Sequence, residues 1–185
     1  MEQLPLIQNE AKDLDNLISG CRKQDKKYQK LLYKSHYGFA MGICLRYGHC
    51  RDEATEIMNK GFLKCFSDLQ KYDFKKPFKA WLRQIMINTA IDYYRSRINH
   101  LITYEIESLN IVDDRPLEGS NFEYQKLVTA VQQLPHLLRL VFNLHAIDGY
   151  THKEIDKILG KSEGTYNPHL FKAREILKLM IEGPN

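Results

Sequence analysis

Residues 74–97, FKKPFKAWLRQIMINTAIDYYRSR, decide how the rest of the chain is read. At about 100° per residue, Phe78, Leu82, Ile85, Met86, Thr89 and Tyr93 fall on one side of a helix. Ile87, Ile91, Tyr94 and Ile98 fall on another, and Gln84, Asn88, Asp92 and Arg95 line a strip between them. A helix that is apolar on two sides is largely buried. Polar side chains on the remaining strip are then costly unless they find partners, inside the protein or outside it. Pro77 suits a first helical turn, where its missing N–H would be unpaired anyway. Basic and aromatic groups together suit single-stranded nucleic acid, because Lys and Arg meet phosphates and rings offer stacking surfaces. The competing reading makes Lys75, Lys76 and Lys79 a solvated surface and Trp81 an ordinary core residue.

Upstream, residues 52–69 form the cleanest amphipathic helix. Ala54, Ile57, Met58, Gly61, Phe62, Cys65, Phe66 and Leu69 recur at spacings of three and four. On its outer side Asp52, Glu56, Asn59 and Leu63 make a stripe with a single Leu among acids and amides. Such a stripe is either a docking surface or a solvated face with one stray apolar residue. Residues 25–48 carry Leu31, Leu32, Phe39, Ile43 and Leu45 in a longer helical pattern, although Gly38 and Gly42 each cost about 1 kcal/mol relative to Ala. Residues 14–22 predict a short helix before it. Strand signals are confined to Leu101–Tyr104 and Leu109–Val112.

The net charge of +4 is uneven along the 185 residues. Residues 1–100 carry 18 Lys and Arg against 11 acids, so an electrostatic footprint for nucleic acid belongs there. Residues 101–120 carry one Arg and five acids, with Asp113-Asp114, Pro116 and Gly119-Ser120. That composition reads as a linker between two domains, residues 1–100 and residues 121–185. No apolar run approaches the roughly 20 residues that span a bilayer. The N-terminus lacks a basic segment followed by an apolar one, so the chain is expected to stay in the cytoplasm. The four cysteines contain no CxxC pair, and neither they nor His49 have the spacing of a metal site, so no metal or cofactor is expected.

Beyond the linker, Leu134-Pro135 opens a helix through His145, and Asp148-Gly149 breaks it. Thr151-His152-Lys153-Glu154 is a capping box for the next helix, with Ile155, Ile158 and Leu159 inward. Gly160 ends it in the left-handed region. Ser162 is placed to cap a last helix, with Leu170, Ala173, Ile176, Leu177 and Met180 inward. Pro168 conflicts with that start: either the helix begins late, with Asn167 as cap and Pro168 at the first position, or it is kinked. A short helix, a Gly turn and a second helix favour a DNA-binding helix-turn-helix over a plain hairpin. The fold class is therefore all-α: two small helical domains joined by an acidic linker.

In this order the segments resemble the extracytoplasmic-function (ECF) group of bacterial sigma factors. ICLRYGHCRDEATEIMNKGFLKCFSDLQKYD is similar to the group's second conserved region. FKAWLRQIMINTAIDYYRSR resembles its promoter-opening helix through Trp81-Leu82, Asn88, Asp92 and Arg95. GYTHKEIDKILGKSEGT and LFKARE resemble the fourth region. The resemblance implies a protein without catalytic activity, small-molecule substrate or cofactor. Its implied partners are core RNA polymerase, promoter DNA and an anti-sigma factor.

Residue by residue, the resemblance implies polymerase docking through Asp52, Glu56, Asn59 and Leu63. Lys75, Lys76 and Lys79 would hold phosphates at the minus-ten element, with Asn88, Asp92 and Arg95 near an extruded base. Thr165, Asn167, His169, Phe171, Lys172 and Arg174 would meet the minus-thirty-five element. Two departures change what carries over. Asn59-Lys60 stands where the group often has Gln and an acid, and Asn167-Pro168 where many members have a basic residue and Ser. Two other classes compete: a stand-alone helix-turn-helix regulator, and an enzyme, for which the chain offers no nucleophile elbow, metal motif or phosphate loop.

Overall fold

The computed structural model describes residues 4–101, 122–160, 162 and 164–182, and among them every regular element is helical. Helix α1 (Leu4–Arg22), α2 (Lys26–Tyr47), α3 (Arg51–Asp68) and α4 (Phe78–Leu101) make the first module. Helix α5 (Phe122–Gln133), α6 (His136–Phe142), α7 (His152–Leu159) and α8 (Asn167–Glu182) make the second. No described helix is long and apolar enough to cross a membrane. Helix α1 starts ten residues before the expected Leu14: Leu4, Ile7 and Ala11 carry the spacing of three and four upstream from Leu14 and Ile18, and Pro5 falls in the first turn, where a helix tolerates it. Of the two expected extended segments, Leu101 closes α4, and residues 102–104 and 109–112 lie outside the described residues.

Helix α4 is the buried element that its two apolar sides require. Phe78, Leu82, Met86, Ile87, Ala90, Ile91, Tyr93 and Tyr94 are all buried. Each large apolar side chain removed from water contributes about 1.5–3 kcal/mol, so α4 organises the core. Thr89, on the same face, is buried and returns its hydroxyl to the Ile85 carbonyl at 2.7 Å. Gly61 of α3 lets the helices approach: a Cβ there would stand 2.4 Å from Met86 Sδ. Pro77 sits one position before α4, where its carbonyl accepts from Ala80 and Trp81. Trp81 is half-buried against Tyr72 and Phe78, as a core residue.

In the second module, α6 begins after Leu134-Pro135 but keeps α-helical pairing only to Phe142. Asn143–Ile147 continue as one π-helical turn. Helix α7 has the capping box in full: Glu154 N–H donates to Thr151 Oγ1 at 3.3 Å, and Thr151 N–H donates to the Glu154 carboxylate at 2.8 Å. Gly160 ends it at φ +68°, the left-handed conformation expected of a helix-ending glycine. Ser162 does not cap a helix. The chain instead turns through Gly164, at φ +84°, whose N–H donates to buried Asp156 at 2.7 Å. Helix α8 then starts at Asn167, with the Tyr166 carbonyl accepting from Leu170. Pro168 falls in the first turn, where its missing donor removes no bond, and no kink is needed. Leu170, Ala173 and Leu177 are buried, whereas Met180, expected inward, is exposed.

Candidate docking and nucleic-acid interfaces

Asp52, Glu56, Asn59 and Leu63 are all exposed on the outer face of α3. Leu63 is 70% exposed, beyond what its packing requires. Two neighbours that the sequence reading missed fix this stripe. Tyr33 of α2 donates its hydroxyl to Asn59 Oδ1 at 3.1 Å, and Tyr93 of α4 donates to Glu56 at 3.2 Å. Lys60 pairs with Glu56 across one helical turn at 2.7 Å. The stripe is thus open to a partner while two of its polar side chains are held in place. Neither tyrosine carries a sequence signal, because both bonds join residues far apart in the chain.

The strip on α4 is also at the surface: Gln84, Asn88, Asp92 and Arg95 are exposed. Gln84 donates to Asn88 Oδ1 at 2.9 Å, and Asp92 accepts from Lys64 of α3 at 2.7 Å. Lys75, Lys76 and Lys79 are exposed at the N-terminal approach to α4. The approach itself is braced by Arg22, which donates to the carbonyls of Leu69 and Tyr72 and lies over the Phe74 ring at 4.5 Å. Three lysines beside a polar strip and aromatic rings are groups of the kind that meet phosphates and stack on bases in single-stranded nucleic acid.

On α8, Asn167, Phe171 and Arg174 recur at four and three and face solvent, opposite buried Leu170, Ala173 and Leu177. Lys172 is exposed beside them, and Phe171 is 68% exposed. Thr165 and His169 are half-buried and less available: the Thr165 hydroxyl donates to the Ser162 carbonyl at 2.7 Å. The six residues therefore divide into an outward group of four and a half-buried pair, Thr165 in the turn and His169 in the first turn of α8.

The two modules meet at the C-terminal end of α2, whose last carbonyls have no partners within the helix. Gln132 of α5 donates to the Leu45 carbonyl at 3.0 Å, and Asn143 donates to the Arg46 carbonyl at 2.7 Å. Tyr94 of α4 donates to the Tyr47 carbonyl at 2.7 Å. Arg139 is fully buried here, donating to Tyr94 Oη and to the Gln132 carbonyl at 2.6 Å. Asp148, its side chain fully buried, accepts from Tyr47 Oη at 2.5 Å and pairs with Arg46 and Arg83. Burial, then the Asp148 charge, raise the Tyr47 phenol well above its ordinary range. Among the described residues, no group of three or more His, Cys, Asp or Glu side chains is arranged to hold a metal.

A buried helical module with an exposed polar strip, followed by a capped helix-turn-helix, is the architecture of a nucleic-acid-binding protein with two candidate surfaces. Residues 32–98 match the family of sigma-70 region 2, and residues 124–177 match that of sigma-70 region 4. An ECF RNA polymerase sigma-E factor of Haemophilus influenzae is 23% identical over 178 residues, 90% of this chain and 94% of that protein. An RNA polymerase sigma-H factor of Pseudomonas aeruginosa is 23% identical, over 90% of this chain and 92% of its own length. A solved structure of a sigma factor RpoE with the anti-sigma factor NepR from Bartonella quintana is 18% identical. It covers 96% of this chain and 99% of that one at a TM-score of 0.49. The chain belongs to the ECF group of RNA polymerase sigma factors.

Proposed function

We infer that the chain binds core RNA polymerase, directs it to particular promoters and helps to separate the DNA strands. The observation that carries this reading is the presence of both sigma-70 regions, in order, each with an exposed polar surface. The proposed division is residues 1–100 for polymerase and the minus-ten element, residues 101–120 as linker, and residues 121–185 for the minus-thirty-five element. Asp52, Glu56, Asn59 and Leu63 would seat on the polymerase. Lys75, Lys76 and Lys79 would hold the non-template phosphates, while Asn88, Asp92 and Arg95 would line the site of an extruded base. Extrusion costs a few kcal/mol, which a shaped pocket and basic contacts offset. The outward face of α8, with Asn167, Phe171, Lys172 and Arg174, would enter duplex DNA, and Thr165 and His169 would set its approach.

On this reading the protein is an adaptor without turnover of its own, acts in the cytoplasm and is held in check by an anti-sigma factor. Run-off transcription with core polymerase on genomic fragments tests activity and promoter choice together. Specific transcripts that require the added chain are the expected result. A stand-alone regulator would bind duplex DNA but neither co-elute with the polymerase nor start transcripts.

A further inference from the structure

Helix α8 begins after a turn that is fastened by a buried charge. Asp156, on α7, is only 3% exposed. One of its carboxylate oxygens accepts the Gly164 N–H at 2.7 Å. The other is buried and has no hydrogen-bond partner among the described residues. Gly164 is held from its far side as well, because its carbonyl accepts the N–H of Asn167, the first residue of α8, at 3.4 Å. Glycine is the residue whose backbone is least determined by its own sterics, and this one stands at φ +84°. A fixed partner is therefore what gives the turn a single shape. Burial, then the Asp156 charge, raise the Tyr166 phenol above its ordinary value, so the carboxylate also acts on the residue just before α8. Asp156, Gly164 and Asn167 form a continuous line of bonds from α7 into the first turn of α8.

For stability alone this is a poor use of a buried position. Burying a carboxylate is costly unless its oxygens are paired, and an apolar residue of similar size serves the fold as well or better. What the carboxylate supplies is direction, since a charge-assisted bond to an N–H fixes where that N–H lies. On the function inferred above, on which this step rests, α8 presents Asn167, Phe171, Lys172 and Arg174 to the minus-thirty-five element. Side chains that read base edges must be held to within about 0.5 Å of their working geometry. We propose that Asp156 is a positioning residue for minus-thirty-five recognition: through Gly164 it sets the starting point and direction of α8, and so the frame in which the outward residues meet the bases. Being buried behind the turn, it acts without touching DNA.

The test is run-off transcription by the full chain with core polymerase on two templates. One is a promoter drawn from the genomic run-off; the other is the same promoter with one base pair of its minus-thirty-five element changed, chosen for the largest loss of yield. The ratio of the two yields should be roughly tenfold for the unaltered chain, as for a typical mismatch. Asp156→Ala should bring it to within about twofold of unity. A merely structural defect lowers both yields together and leaves the ratio where it was. Asp156→Asn keeps an oxygen for Gly164 and should restore most of the ratio. In the chain alone, exchange of the Gly164 amide followed by NMR should quicken about tenfold in Asp156→Ala and stay slow in Asp156→Asn. If Asp156→Ala loses helicity, Asp156→Leu, which fills the space without an acceptor, takes its place. An unchanged ratio in a folded variant that lacks the acceptor overturns the proposal, and so does a lost ratio in Asp156→Asn while its Gly164 amide stays protected. Failure of every form to start transcripts overturns the sigma reading instead, while exchange at Gly164 still judges whether Asp156 fixes the start of α8.

Discussion

Lys64 of α3 and Asp92 of α4 form an ion pair at 2.7 Å, joining the helix proposed to dock on polymerase to the strip proposed to meet DNA. Both side chains are about half exposed, so the pair contributes about 0–1 kcal/mol. Asp92→Ala should therefore leave the thermal midpoint nearly unchanged and lower transcription from a matched promoter. A large drop in the midpoint with normal transcript yield would place Asp92 in the scaffold rather than at the DNA.

The α3 stripe makes a separable prediction. Glu56→Arg with Leu63→Ala should abolish co-elution with core polymerase while preserving helicity by circular dichroism, because both residues are exposed. Leu63 is 70% exposed, so its truncation leaves no cavity. Undiminished co-elution of the folded variant would remove the stripe from the docking surface.

The helices of the core were legible because their signals are local. The two apolar sides of residues 78–94, the Thr151–Glu154 box and the left-handed Gly160 each sit within a few residues of sequence. The seam between the two modules was not legible. Gln132 reaches Leu45 across 87 positions, and Asn143 reaches Arg46 across 97. A lone Gln or Asn meeting a helix-end carbonyl leaves no periodic trace. The π-helical turn at Asn143–Ile147 escaped for a related reason, since its residues suit an α-helix and the seam's packing decides otherwise. At the candidate sites, the outward residues of α3 and α4 were readable from helical phase. The tyrosines that hold Asn59 and Glu56 were not.

Thiol chemistry reports on the same core. Burial pushes the Cys21 thiol up to about 11 and the Cys44 and Cys65 thiols up to about 12. Almost no thiolate is available at neutral pH, and the thiolate is the reactive form. Cys50 is only half-buried. A maleimide reagent followed by mass spectrometry should label one cysteine quickly in the native protein and all four after denaturation. Rapid native labelling of Cys44 would contradict the packing of α2 against α4.

The capping box predicts a pH dependence of known sign. The Thr151 backbone, then its hydroxyl, hold the Glu154 carboxyl below its ordinary value of 4.5. A depressed carboxylate stabilises the fold above the unfolded value, and that contribution disappears as pH falls through the folded one. Melting temperatures measured from about pH 6 towards about pH 3 should fall more steeply for the wild type than for Glu154→Gln. At neutral pH, Thr151→Ala should cost about 1 kcal/mol, typical of a lost N-cap. Parallel pH profiles for wild type and Glu154→Gln would remove the linkage.

Asn88 separates strand opening from duplex binding. It is exposed on α4, and its side-chain oxygen accepts only from Gln84 among the described bonds, so Asn88→Ala should be nearly neutral for folding. If Asn88 contacts an unpaired base, the variant loses an interaction formed only after melting. Transcription should then fall most on a fully double-stranded promoter. A template with a pre-melted bubble supplies the strand separation in advance and should restore part of the yield. Equal losses on both templates, with helicity intact, would mean that Asn88 acts at a step other than strand opening. An equal loss accompanied by reduced helicity would place its effect in the fold of α4.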